Sequence, residues 1–92
     1  MFKLKAADGW NNITGRRLAE IRHGKNISQR QLARMMQLAG YDVDHHFIRR
    51  IENGERFVTD IELVALSKVL SVPICDLMDA AAPISNPPAD SL

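Results

Sequence analysis

The stretch DHHFIRRIENG, residues 44–54, has the pattern of a short helix with its start and its end. Asp44 is a favoured residue for the start of a helix, because its carboxylate accepts hydrogen bonds from the first unpaired backbone amides. Asn53 and Gly54 form a pair that commonly follows the last turn of a helix. Between them, the apolar residues recur at helical spacing and form one stripe: Phe47, Ile48 and Ile51. The pattern predicts a helix from Asp44 to about Asn53.

The other face of this predicted helix is basic. It carries four groups that can donate hydrogen bonds, His45, His46, Arg49 and Arg50, and no carboxylate before Glu52. A solvent-exposed helix usually mixes both signs of charge, whereas a purely cationic face suits an anion with base edges beyond it. We therefore expect these four residues to contact the bases of double-stranded DNA.

Other interpretations of this face stay open. The two histidines also fit an ordinary surface pair; metal chelation is disfavoured, because adjacent helical side chains point about 100° apart and no zinc-like ligand spacing exists. We expect no metal and no cofactor. The two arginines could instead pair with nearby carboxylates: Asp42, Asp44 or Glu55. Phe47 either joins the core or faces a thymine methyl group.

Helical periodicity continues on both sides of this stretch. A preceding helix begins at Ser28, which forms a capping-box pattern with Gln31, and ends near Gly40. A following helix begins at Thr59, which forms the same pattern with Glu62. A first helix fits residues 12–23, and Pro73 suits the first turn of a short fifth helix.

No segment shows a convincing strand pattern. We therefore predict an all-α fold, a compact five-helix domain over residues 12–80. Residues 1–11 form an N-terminal extension without clear periodicity. Residues 81–92 are proline-rich and are predicted to form a flexible C-terminal tail.

The charge is unevenly distributed along the chain. Residues 1–56 carry 11 lysines and arginines against 6 aspartates and glutamates, whereas residues 57–92 carry 1 against 5. A basic first part favours a polyanionic partner, although chance unevenness explains it equally well. The single cysteine, Cys75, excludes an internal disulfide and is expected to be at least half-buried; it fits a reducing cytoplasm.

Several function classes are disfavoured by the sequence. No apolar segment has the length of a transmembrane helix, and we expect no signal peptide, because no apolar stretch follows the basic residues Lys3 and Lys5. No nucleophile–base arrangement and no glycine-rich phosphate loop indicates an enzyme. We therefore expect a cytoplasmic, nucleoid-associated protein that is not an enzyme and has no membrane partner.

In the helix-turn-helix arrangement, one helix precedes a recognition helix, and phosphate-binding groups lie at the start of the preceding helix. Ser28, Gln29 and Arg30 lie at that start, where backbone amides and the helix dipole favour a phosphate. At this level the sequence resembles the lambda-repressor-like, or XRE, helix-turn-helix regulators. The resemblance covers residues 15–78 and is carried by four strings in the family's order: GRRLAEIR (15–22), ISQRQLA (27–33), IRRIENGER (48–56) and ELVALSKVLSVPICDLM (62–78).

The resemblance implies further roles. Gln29 matches the family's phosphate-contacting residue, and Asn53 and Arg56 match positions that touch the DNA backbone just past the recognition helix. Arg22 and Glu52 match a structural salt bridge between the first and third helices. The sequence departs from the family in a longer spacing between the second and third helices, around MQLAGYD (36–42).

These observations predict a small transcriptional regulator, a repressor that binds specific duplex sequences with residues 44–53 in the major groove. A homodimer is expected, because such proteins often read paired half-sites, and apolar residues between Ile61 and Met78 could supply its interface. The alternative is an antitoxin or adaptor module whose main partner is another protein.

Overall fold

Four α-helices follow one another in the computed structural model, which describes residues 5–6, 9–78 and 84–85. Their bounds are α1 Gly15–Gly24, α2 Gln29–Leu38, α3 His45–Glu52 and α4 Asp60–Leu70. The first four predicted helices are present, and their predicted bounds differ from these by at most three residues. None of the helices in the described part of the chain is long and apolar enough to cross a membrane.

The helix starts follow from local side-chain chemistry. Ser28 Oγ accepts a hydrogen bond from the Gln31 amide at 3.0 Å, and Gln31 Oε1 accepts one from the Ser28 amide at 2.7 Å. Thr59 and Glu62 form the same reciprocal pair before α4. Asp44 Oδ1 accepts from the Phe47 amide at the start of α3. The three predicted caps are therefore confirmed.

Glycine ends α2 and α3 because the chain reverses there through a left-handed conformation. Gly40 has φ +96° and Gly54 has φ +75°. After each glycine the next amide reaches back to the last turn, from Tyr41 to the Met36 carbonyl at 3.0 Å and from Glu55 to the Arg50 carbonyl at 2.9 Å. These bonds satisfy carbonyls that the helix end would leave unpaired.

The core lies where α3 packs against α2 and α1. Its fully buried large side chains are Leu18, Leu32, Met36, Ile48, Ile51, Leu66, Leu70 and Leu77. Phe47 is half-buried and packs against this core. Of its two predicted placements, the core is therefore the one observed. The apolar stripe of α3 thus anchors the helix and fixes which side faces out.

The longer spacing between the second and third helices is absorbed by a turn. Residues 39–44 connect α2 to α3, and α2 itself has only 10 residues. Gln37 Nε2 donates to the Val43 carbonyl at 2.8 Å and braces this turn. Tyr41 and Val43 pack against the core. The turn is therefore tied down at both ends.

Three predictions need correction. The fifth element is a single 3-10 turn, Ile74–Leu77, because backbone extension at Met78 stops it after four residues. Cys75 is exposed rather than half-buried. A two-residue strand pair joins β1 Lys5–Ala6 to β2 Ile84–Ser85 in antiparallel register. A ladder this short leaves no alternating pattern by which a sequence would reveal it.

The strand pair lies within the predicted extension and the predicted tail. Residues 81–83 and 86–92 lie outside the described residues, so the flexibility of the tail stays a prediction. Residues 9–11 of the extension are described, and Trp10 and Asn11 contact the turn after α3.

Candidate nucleic-acid interface

The two sides of α3 differ sharply in exposure. Ile48 and Ile51 are completely buried, whereas His46, Arg49 and Arg50 are exposed. His45 is half-buried at the first turn. The predicted outward face therefore exists as a surface, and three of its four members are freely accessible on it.

Arg49 and Arg50 form no ion pair with the residues that the structure describes. Among the residues that the structure describes, ion pairs join Arg17 to Glu20, Arg22 to Glu52 and Arg56 to Glu62. Arg49 and Arg50 are not in this set, so the interpretation that they pair with Asp42, Asp44 or Glu55 is not realised there. Two accessible guanidinium groups lie on one helix with their hydrogen-bonding capacity unused within the described chain.

His45 lies at the meeting point of α2 and α3. Partial burial lowers the pKa of His45, and the positive charges of Arg30, His46 and Arg49 lower it further, while Asp44 opposes them. Arg30 belongs to α2, so the fold brings a predicted phosphate contact beside the predicted base contacts. The result is a patch of positive potential that spans both helices, which we call the basic face: Arg30, His45, His46, Arg49 and Arg50.

The two histidine rings do not diverge as predicted from helical geometry. Their centroids are 4.1 Å apart, with the ring planes tilted by 34°. Within the described part of the chain, no group of three or more side chains of the metal-ligating kinds converges.

Of the three residues at the start of α2 that were predicted to contact phosphates, two are exposed to solvent. Ser28 and Arg30 are exposed, and the hydroxyl of Ser28 accepts from the Gln31 amide. Gln29 is half-buried instead, and its Nε2 donates to Glu52 Oε1 at 3.1 Å. Its side chain therefore helps hold α2 against α3.

Arg22 and Glu52 form the ion pair that the family resemblance implied. Arg22 Nε lies 2.8 Å from Glu52 Oε2, and Nη2 lies 2.9 Å from Oε1. Their side chains are only 9% and 6% exposed. The hydrogen bonds that Arg22 donates to Glu52 raise the pKa of Arg22, against partial burial, which lowers it. This bidentate pair fixes the end of α3 to α1.

Arg56 has a structural partner that the sequence did not indicate. Its two terminal nitrogens donate to Glu62 at 2.9 and 3.1 Å, and its guanidinium lies 4.7 Å from the Phe47 ring centroid. Burial alone would raise the pKa of Glu62, but the hydrogen bonds from Arg56 and Thr59 outweigh it and lower this pKa. Asn53, by contrast, is exposed at the end of α3.

Sequence reasoning missed the contacts of Trp10–Asn12, because it placed Trp10 and Asn11 in an extension without clear periodicity and Asn12 at the start of the first helix. Asn11 and Asn12 donate hydrogen bonds to carbonyls at the end of α3 and in the turn that follows. Trp10 packs on Gly54 of the same turn. The one available signal was the asparagine pair just before a helix start, since asparagine is a favoured capping residue.

The comparisons with known proteins agree with this geometry. A family model described as helix-turn-helix matches residues 18–77. The restriction-modification controller protein C.AhdI from Aeromonas hydrophila superposes with a TM-score of 0.62 at 28% identity, over 71% of this chain and 87% of its own. The DNA-binding domain of BldD superposes with a TM-score of 0.62 at 22% identity, over 75% of this chain and 93% of its own.

A search of curated protein sequences finds no match. The family match nevertheless covers well over half of the chain and includes α2, the 39–44 turn and the whole of α3. The chain belongs to the lambda-repressor-like helix-turn-helix family.

Proposed function

We propose that this protein is a transcriptional regulator that binds specific duplex DNA sequences with α3 in the major groove. The observation that carries the proposal is the basic face, in which Arg49 and Arg50 project from a helix anchored by two fully buried isoleucines. Arginine is the residue best shaped to read guanine, because its fork matches two acceptors on the base edge. The family and the similarity to a controller protein support the same function.

The residues divide by the part of DNA that they reach. Arg49, Arg50 and the two histidines contact base edges. Ser28, Arg30 and Asn53 contact phosphates, where the backbone amides at the start of α2 assist. Gln29 and Arg56 already donate hydrogen bonds to Glu52 and Glu62, respectively. They contact phosphates only through their remaining N–H groups.

We further propose that the protein acts as a homodimeric repressor in the cytoplasm, in association with the nucleoid. A dimer reads two half-sites about 34 Å apart, one helical turn of DNA. Two apolar side chains on α4 support such an interface, since Ile61 is 75% exposed and Val64 is 37% exposed, beside Tyr41. An Ile61→Asp variant is expected to sediment as a monomer at concentrations where the wild type is dimeric.

Selection of bound sequences from random duplex DNA tests the proposed function. We expect one enriched motif with two-fold symmetry, and an affinity that falls linearly with salt on logarithmic axes. Arg30→Ala should weaken binding to all sequences alike and reduce the salt slope by about 1, whereas loss of a base contact relaxes one position of the motif. Failure to enrich any motif would contradict the proposal.

A protein-interaction module, such as an antitoxin or adaptor, is the second candidate. The exposed apolar residues of α4 are the feature that favours it. It predicts a stable complex with another protein and no salt-sensitive binding to DNA, so pull-down and titration in the same buffer separate the two functions.

A further inference from the structure

The indole ring of Trp10 packs between Gly15, at the start of α1, and Gly54, in the turn after α3. A Cβ added at Gly54 would lie 2.2 Å from the indole ring, and one at Gly15 would lie 2.9 Å from it. Neither distance is compatible with a side chain at these positions, so both glycines let the indole come close to the backbone. On the ring, the Arg16 guanidinium lies 3.9 Å from the centroid. The indole therefore contacts both the start of α1 and the turn after α3.

Asn12 links the same two helix ends with a single amide group. Its Oδ1 accepts from the amides of Thr14 at 3.1 Å and Gly15 at 2.8 Å, at the start of α1. Its Nδ2 donates to the carbonyl of Ile51 at 3.1 Å and to that of Arg56 at 2.9 Å. An asparagine side chain offers two donors and two main acceptor sites, so every one of them is used.

Asn11 completes the set of bonds. Its backbone amide donates to the Gly54 carbonyl at 3.0 Å, and its Nδ2 donates to the Glu55 carbonyl at 3.0 Å. Two consecutive asparagines therefore satisfy four carbonyls at the end of α3 and in the turn that follows: Ile51, Gly54, Glu55 and Arg56. The Ile51 carbonyl also accepts from the Gly54 amide at 3.0 Å. The other three carbonyls lie beyond α3, where no further helical turn supplies a donor.

We propose that the segment Trp10–Asn12, the N-terminal clamp, positions α3 and the 53–56 turn for DNA contact without touching DNA itself. The clamp precedes the residues matched by the family model, which begin at residue 18, so it adds to the shared module. The inference rests on the proposed function, because it assigns Asn53 and the arginines of α3 to DNA.

The short length of α3 is the reason that its end matters. With 8 residues it makes little more than two turns, so a shift of its C-terminal end tilts the whole helix. Arg49 and Arg50 lie within one turn of that end. The clamp therefore acts on DNA affinity through the placement of these side chains, and its members are positioning residues.

Asn12→Ser, made in the full chain, is the variant that tests the proposal most specifically. Serine is also a good capping residue and keeps an acceptor for the start of α1, but it cannot donate to the Ile51 and Arg56 carbonyls at once. Leu77→Val is the control, because Leu77 is buried in the 3-10 turn, which packs on α1 and α4. It lowers stability without touching the clamp.

Both variants are compared with the wild type at a temperature where circular dichroism shows all three folded. We expect Asn12→Ser to lose about 5- to 20-fold in affinity for the selected duplex, and Leu77→Val to keep wild-type affinity. Amide hydrogen exchange at Gly54 and Glu55 is expected to accelerate in Asn12→Ser only. Asn11→Ser, which removes one bond of the set, gives the same exchange pattern more weakly and serves if Asn12→Ser does not fold.

The outcomes separate the two proposals. If the wild type binds no duplex, the proposed function fails, and hydrogen exchange without DNA still decides whether the clamp fixes the end of α3. If the wild type binds and Asn12→Ser binds equally well, or if exchange at Gly54 and Glu55 is unchanged, the clamp is not a positioning device and the inference is overturned.

Discussion

The two sides of α3 use the same kinds of side chain in opposite ways. On the inner side, Glu52 accepts hydrogen bonds from Arg22 and Gln29, with every charge paired and almost no exposure. On the outer side, Arg49 and Arg50 are exposed and form no ion pair with the described residues. A paired buried charge secures a fold, whereas an unpaired exposed charge is available to a partner. The inner side should therefore control stability and the outer side binding.

Breaking the buried ion pair is expected to have the largest effect. Arg22→Met leaves the Glu52 carboxylate buried with Gln29 as its remaining partner, which should lower the free energy of unfolding by about 3–5 kcal/mol. Urea unfolding followed by circular dichroism measures it.

Two comparisons sharpen this result. Replacing both partners, with Glu52→Leu added, should restore much of the stability because no charge is then stranded. Glu20→Ala removes the exposed pair with Arg17, leaves the Arg17 hydrogen bond to the Asp76 carbonyl in place, and should cost about 0.2–1 kcal/mol. Equal losses from the buried and the exposed pair would remove the distinction between the two sides.

The contact between Trp10 and the turn after α3 gives the next largest effect. Gly54→Ala places a side chain in a left-handed position and into the indole, and about 2–4 kcal/mol of destabilisation is expected. Gly40→Ala is the matched control, since Gly40 has φ +96° with nothing within 4 Å of the added atom. It should cost only about 1–2 kcal/mol.

The fluorescence of Trp10, the single tryptophan of the chain, gives an independent reading. We expect its emission to shift in Gly54→Ala and to stay unchanged in Gly40→Ala. Equal costs and identical spectra in the two variants would show that Trp10 does not pack on Gly54.

Those contacts show where sequence reasoning succeeds and where it fails. The caps at Ser28, Asp44 and Thr59 were predictable because each pairs with a residue three positions later. The outward face of α3 was predictable because helical periodicity alone fixes it. The clamp was not, because its bonds join residues 39 to 44 positions apart, and no local pattern records such a pairing.

Arg56 illustrates the same limit within the candidate site. The sequence predicted Glu62 as a capping residue and Arg56 as a phosphate contact, each from its own neighbourhood. Glu62 does cap α4, yet its carboxylate also receives two hydrogen bonds from Arg56. The Glu62 carboxylate can cap α4 and bind Arg56 because residues 57–59 bring Arg56 back to the start of α4. This approach depends on tertiary packing and is not encoded in the sequence around either residue.

A smaller effect is expected from pH, because His45 lies between the two sides of α3. Burial and neighbouring cations lower its pKa in the free protein, and nearby phosphates would raise it in the complex. Affinity should then rise a few-fold, roughly, as pH falls from about 7.5 to 5.5. Titrations of the wild type and His45→Gln in this range measure it, and a flat wild-type profile would remove His45 from the interface.

The pH range of that titration is limited by the pH at which the protein begins to unfold. Because folding lowers the pKa of His45, this residue contributes to stability above its unfolded value, about 6.5, and loses this contribution as pH falls from there through its folded pKa. Glu62, whose pKa is also lowered, contributes above its unfolded value and loses this contribution only in stronger acid, as pH falls through its folded pKa. Circular dichroism at each pH confirms that the measured affinities belong to folded protein.

The division of labour across α3 is tested most directly by one paired measurement on the Arg49→Ala, Arg50→Ala double variant: its urea unfolding and its affinity for the selected duplex. We expect a free energy of unfolding within about 0.5 kcal/mol of the wild type and an affinity at least about 30-fold weaker. Unchanged binding, or a loss of stability comparable to that of Arg22→Met, would contradict it.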